Sequence, residues 1–149
     1  MSIHHTDLTP HRLYLMAESY QTAGSRIVAD PDFEDSVTDG PARLVFYQAL
    51  ELYLRCFLLL QGMQPAQLLA LSTDLEALVD CATAAGMPIS PTTAKFVRSV
   101  GRNKDYAKVR YDLEGQASMD ALKLLVRAVI EVRLQVRTQL MAEGVDPGP

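Results

Sequence analysis

Residues 101 to 111 read GRNKDYAKVRY, a stretch that packs cations, an acid and two phenols into about three helical turns. Arg102 carries a planar guanidinium that can hold two phosphate oxygens in a fork, and Lys104, Lys108 and Arg110 would widen the cationic patch around it. Asp105 and Tyr106 are the nearby groups that can move a proton. Their ordinary pKa values, about 3.9 and about 10, lie far from neutrality, so each needs a large environmental shift to act as base or acid. Arg102, Asp105 and Tyr106 are therefore the candidate catalytic residues. Arg102, Asn103, Lys104, Arg110 and Tyr111 are candidate ligand contacts, with Tyr111 and Tyr53 able to stack on a base. A structural reading stands beside this one. In it Arg102 pairs with Asp105 three residues on, or with Glu51 across the fold, and Asn103 bonds a loose helix end.

A second polar set interrupts the apolar stretch ARLVFYQALELYLRCFLLLQ. Gln48, Glu51 and Arg55 are spaced three and four apart and share one helical face. Glu51 precedes Arg55 by four residues, the favourable order for an ion pair. This stripe either lines a ligand pocket, with Arg55 as the anion partner, or faces the Arg102 segment as a structural network. Its charges are too costly to bury without partners. The sequence has no glycine-rich phosphate loop, GxSxG, HExxH or GxxxxGK[ST]. His4 and His5 are adjacent near the start, with no third ligand at useful spacing. No metal and no cofactor is expected.

The elements that must hold these residues are helices, since apolar residues recur with the helical period and no alternating strand pattern persists. Thr9 and Pro10 open a first helix with a stripe of Leu13, Met16, Ala17, Tyr20, Ala23 and Ile27. DPDFEDSVTDGP follows as an acidic loop. Pro41 then starts a second helix that ends at Gly62 and is apolar on almost every side, which places it at the centre. A short turn of helix follows at Pro65 to Leu71. Thr73 and Glu76 form a capping-box pattern before Leu75, Leu78, Val79 and Ala82. Ser90 and Pro91 start the helix that carries Phe96, Val97, Val100 and Gly101, and this glycine points to a bend or a close packing contact. Ser118 caps the last helix, whose main stripe is Leu122, Leu125, Val129, Val132, Val136 and Leu140. Val126, Ile130 and Leu134 form a second stripe among Lys123, Arg127, Arg133 and Arg137. One bundle buries only one of these stripes, so a homodimer is expected to cover the other. Residues 1–8 and 142–149 read as frayed tails.

At 149 residues the chain fits one domain with a sizeable core. Its net charge of −4 disfavours sequence-independent wrapping of nucleic acid, though not a local basic patch. Cys56 and Cys81 lie in apolar helical patterns without CxxC spacing and read as packed thiols in a reducing compartment. The first residues lack the basic and apolar regions of a signal peptide, and no apolar run reaches membrane-spanning length. A cytoplasmic protein is expected.

Taken in order, YQALELYLRCFLLLQG resembles the signature helix of HEPN domains (higher eukaryote and prokaryote nucleotide-binding). STDLEALVDCATAAGM is similar to that family's next helix, with Thr73 where a histidine often stands. RNKDY and VRY look like its arginine motif and closing aromatic segment. The likeness spans about residues 10 to 140. It implies an all-α, antiparallel four- to five-helix up-down bundle, commonly dimeric. It also implies metal-independent RNA cleavage, for which the family's motif sets a histidine several residues after the arginine. Arg102 and Asn103 match the first positions, and Ala107 stands where the histidine is expected; no histidine follows His11. Imidazole is the side chain that takes and gives protons near neutral pH. The sequence therefore points to a non-catalytic dimeric module binding a nucleotide, RNA or a protein partner. The alternatives are a divergent endoribonuclease of the toxin kind, or a structural subunit beside a separately encoded nucleotidyltransferase-like protein. The nuclease reading needs His11 to reach the Arg102 segment.

Overall fold

The computed structural model describes residues 8–36, 38–111 and 119–149, and these are all-α, without a strand. His4, His5 and Ser118 lie outside the described residues. The helices are α1 (Pro10–Ala29), α2 (Gly40–Leu60), α3 (Pro65–Ala70), α4 (Leu75–Ala84), α5 (Pro91–Arg102), α6 (Asp105–Lys108) and α7 (Met119–Ala142), with a single 3₁₀ turn at Phe33–Asp35.

Helix α2 occupies the centre, as its apolar circumference requires. Phe46, Ala49, Leu50, Tyr53, Leu54, Cys56, Phe57 and Leu58 are all buried, with α1, α4 and α7 packed around them. Gly62 ends the following turn in the left-handed conformation, φ +95°. Helix α1 runs antiparallel to α2. The Cys56 thiol donates to the Pro10 carbonyl at 3.1 Å, the Tyr14 and Tyr53 rings lie 6.0 Å apart, and Gly24 meets Phe46. A Cβ at Gly24 would fall 2.7 Å from the Phe46 ring, so a hydrogen at this position is what lets the ring in. That contact turns α1 away from the expected stripe. Met16 is 50% exposed, while Tyr14 and Gly24 are buried. Tyr14 tolerates burial because Arg137 donates to its hydroxyl at 2.6 Å.

Along α7 the main stripe lies where the periodicity predicts, and Leu122, Leu125, Val129, Val132, Val136 and Leu140 are all buried. Glu18 fastens α1 to α7, accepting from Arg133 at 2.5 and 3.0 Å and from the Tyr53 hydroxyl at 2.5 Å. Burial alone would raise the Glu18 pKa, but the hydrogen bonds from Arg133 and Tyr53 hold it below its usual range. After α7, Gly144 (φ +80°) turns the chain back. Val145 N bonds Leu140 O at 2.9 Å and Arg137 holds the Gly148 carbonyl at 2.6 Å. Residues 143–149, read from the sequence as frayed, are tied to α7 by these bonds.

Helices α4 and α5 form an antiparallel pair, fixed by Arg98 on Asp80 at 2.5 Å. Asp74, not Thr73, caps α4, accepting from Ala77 N at 3.2 Å. The preceding Ser72 is left-handed (φ +53°) and carries the chain one residue further before the helix begins. Ser90 caps α5 as expected, and Glu131 of α7 reaches across to the same end, accepting from Ser90 N, from Ser90 Oγ at 3.2 Å and from Thr93 Oγ1 at 2.5 Å. The Cys56 thiol is buried and pushed up to about 12 by that burial; Cys81 is half-buried, and both are free. Among the described residues no helix is long and apolar enough to cross a membrane.

Candidate functional site

The elbow between α5 and α6 brings the candidate residues together. Gly101, inside the last turn of α5, lies flat against α4, where a Cβ would come within 3.1 Å of the Glu76 Cα. Asn103 closes the helix, its N–H bonding Ser99 O at 3.0 Å. Lys104 then adopts φ +54°, a left-handed turn that reverses the chain into α6. This turn sorts the side chains. Arg102, Asn103, Lys104, Lys108, Arg110 and Tyr111 face outward, whereas Tyr106 is buried and Asp105 reaches back to α2.

Asp105 accepts a hydrogen bond from the Tyr47 hydroxyl and from Arg43 Nη1 at 3.3 Å. Arg43, itself buried, also donates from Nε to Asp39 at 2.9 Å. Burial, reinforced by the Asp105 carboxylate, pushes the Tyr47 phenol far up. Tyr106 stacks on Tyr47 with ring centroids 5.6 Å apart and planes at 26°. Its phenol is also pushed up, first by burial and then by the negative charge of Glu51, while Arg110 opposes the shift from 5.3 Å above the ring. Both phenols are therefore moved further from neutrality, away from acid–base work at pH 7.

The second polar set lies beside this cluster. Glu51 is buried and pushed above the usual carboxylate range by desolvation, which Arg55 and Arg110 partly offset. Arg55 Nε stands 3.8 Å from Glu51 Oε2, the pair read from the sequence. The other donors of Arg55 go to the carbonyls of Leu68, at 2.8 Å, and of Ser72. Arg55 thus staples α2 to the segment before α4. Gln48 is half-buried on the same face. Among the described residues Glu51 Oε1 and the Tyr106 hydroxyl are buried without a hydrogen-bond partner.

The expected partners of Arg102 were Asp105 or Glu51. The structure corrects both: Arg102 pairs with Glu76 on α4, while its side chain stays 69% exposed. The left-handed turn at Lys104 sends Arg102 and Asp105 to opposite sides despite their spacing of three. Arg43, Asp39 and Tyr47 were missed. The sequence does carry their signal, because Asp39, Arg43 and Tyr47 follow at intervals of four, and an arginine in so apolar a helix needs a carboxylate. Below the elbow a groove of 220 Å³ is lined by Ser72, Asp74, Leu75, Val100, Lys104 and Ala107.

His11 is exposed on the first turn of α1, and among the described residues no hydrogen bond or ion pair involves its side chain. Its neighbour Pro10 meets α2 at Cys56, whereas the elbow meets α2 at Tyr47, about 14 Å lower along that helix. Among the described residues no cluster of three or more metal-ligating side chains forms. No family model, no curated protein and no solved structure matches the chain.

Proposed function

We propose that the protein is a HEPN-like up-down helical bundle, acting as a non-catalytic homodimeric module that binds RNA or nucleotide phosphate at the α5–α6 elbow. The observation that carries this reading is the sorting of side chains by the Lys104 turn. Arg102, Lys104, Lys108 and Arg110 stand outward on one short segment, and Glu76 pairs with Arg102. Tyr111, 84% exposed, offers a stacking face beside them. Cations tracking a phosphate backbone, with an aromatic ring for a base, are the elements of single-strand binding that does not depend on sequence. The non-catalytic form is supported by Ala107 at the expected histidine position, by His11 at another level of α2, and by two phenols shifted away from neutrality. Incubating labelled single-stranded RNA with the protein in chelator tests it. Intact RNA that shifts with the protein, and shifts less with Arg102→Ala, is expected; cleavage that Arg102→Ala abolishes would replace this reading with the divergent endoribonuclease.

A further inference from the structure

The outer face of α7 carries one exposed seam. Lys123, Arg127, Ile130, Leu134 and Met141 follow at spacings of four, three, four and seven, the register along which one helix packs on another. All five are exposed, Ile130 and Leu134 at 56% and 59%. Arg137, which falls between Leu134 and Met141 in this register, is turned instead to the Tyr14 hydroxyl and the Gly148 carbonyl. Beside the first half of the seam lies a groove of 660 Å³ between α7 and the segment after α1. Val28, Phe33, Leu122 and Val126 form its apolar floor, and Asp30 and Glu34 stand on the bank away from α7. Among the described residues none of Asp30, Glu34, Lys123 and Arg127 makes an ion pair. Glu131, one turn beyond Arg127, is occupied by Ser90 and Thr93.

We propose that this face takes an amphipathic helix of a different protein, laid along α7. Its carboxylates meet Lys123 and Arg127, and its apolar stripe covers Ile130, Leu134 and the groove floor. Basic residues on its flank meet Asp30 and Glu34. The two cations within the seam select this occupant. A second copy complements the face poorly, because a two-fold along the seam sets Lys123 and Arg127 each against its own mate. A two-fold across the seam, centred between Ile130 and Leu134, lays Lys123 on the partner's Met141 and Arg127 on the partner's Arg137. Neither arrangement gives the cations a carboxylate, and a helix of another chain is free of that symmetry. The face shares no residue with the α5–α6 elbow, and the homodimer of the proposed function is left to another surface. Helix capture and RNA retention therefore fail separately.

Fluorescence anisotropy of a labelled synthetic helix of about three heptads, titrated with the full chain, tests the proposal. The peptide carries leucine at its seam positions, except for glutamates at the two that face Lys123 and Arg127, and lysines on both flanks. It is made in two versions, with the glutamates at the first or at the last seam positions, so that either chain direction is offered. One version is expected to bind with a Kd below about 100 μM, and Ile130→Asp to weaken it at least about tenfold. Lys123→Glu with Arg127→Glu is expected to reverse the preference, taking the same peptide with lysines in place of its glutamates. Lys123, Arg127 and Ile130 are exposed, so these changes spare the core, and circular dichroism checks the fold. Sedimentation velocity without peptide addresses the rival occupant. No binding by either version, binding indifferent to the Ile130 or charge variants, or a wild-type dimer that Ile130→Asp dissolves would overturn the proposal.

Discussion

Tyr47 donates its hydroxyl hydrogen bond to the carboxylate of Asp105, 58 residues further along the chain. With Arg43 on the same carboxylate, this contact makes Asp105 the clasp that holds α6 against α2. Asp105→Ala leaves a buried phenol without this acceptor and takes one carboxylate from Arg43. A loss of about 1–3 kcal/mol in urea unfolding is expected. Unchanged stability would show that the clasp does not form.

Tyr106→Phe behaves differently. Among the described residues its hydroxyl has no hydrogen-bond partner, so deleting it removes a desolvated group and none of the bonds described. Stability within about 0.5 kcal/mol of wild type, or higher, is expected. RNA retention should not change. A large drop in either quantity would give the hydroxyl a role that this account denies it.

At Gly101 two effects compete. Alanine is worth about 1 kcal/mol over glycine inside a helix, yet its Cβ would press into the backbone of Glu76. Backbone cannot rotate aside as a side chain does, so the clash wins. Gly101→Ala is expected to lower the melting temperature, and a stabilised variant would show that α4 and α5 stand further apart than described.

Acid should loosen the contacts of α7 first. Burial acts to raise the Glu131 pKa, but the hydrogen bonds from Thr93 and Ser90 prevail and hold it below its ordinary value of 4.5; Glu18 is lowered likewise. A carboxylate with a depressed folded pKa adds stability that is complete above its unfolded value and is lost as pH falls through the folded one. Stability of the wild type should therefore fall as pH drops below about 4.5, and Glu131→Gln should flatten that limb. An acid limb identical in the variant would remove Glu131 from the account.

Much of this fold is legible in the sequence because local rules and burial agree. The α7 stripe, the all-apolar α2, the Thr9 and Ser90 caps and the Glu51–Arg55 pair all follow from helical spacing. The misreadings arose where a long-range contact or a left-handed residue overrides spacing. Phe46 against Gly24 rotates α1, and Ser72 moves the α4 cap from Thr73 to Asp74. Lys104 does the same at the elbow, since a spacing of three predicts an Arg102–Asp105 pair only while the helix continues. Spacing says nothing of the residue at which a helix turns left-handed, and no glycine marks the place.

The central claim is that the elbow's outward cations grip a phosphate backbone. Fluorescence anisotropy of labelled single-stranded RNA across a salt series tests it most directly. For single strands the logarithm of affinity falls with that of salt by roughly 0.7 per phosphate neutralised, so four cations give a slope near roughly −2.8. Lys104→Gln with Lys108→Gln should flatten that slope by roughly 1.4 and weaken binding without unfolding the exposed elbow. An unchanged slope in the double variant, or no binding by the wild type at low salt, would contradict the account.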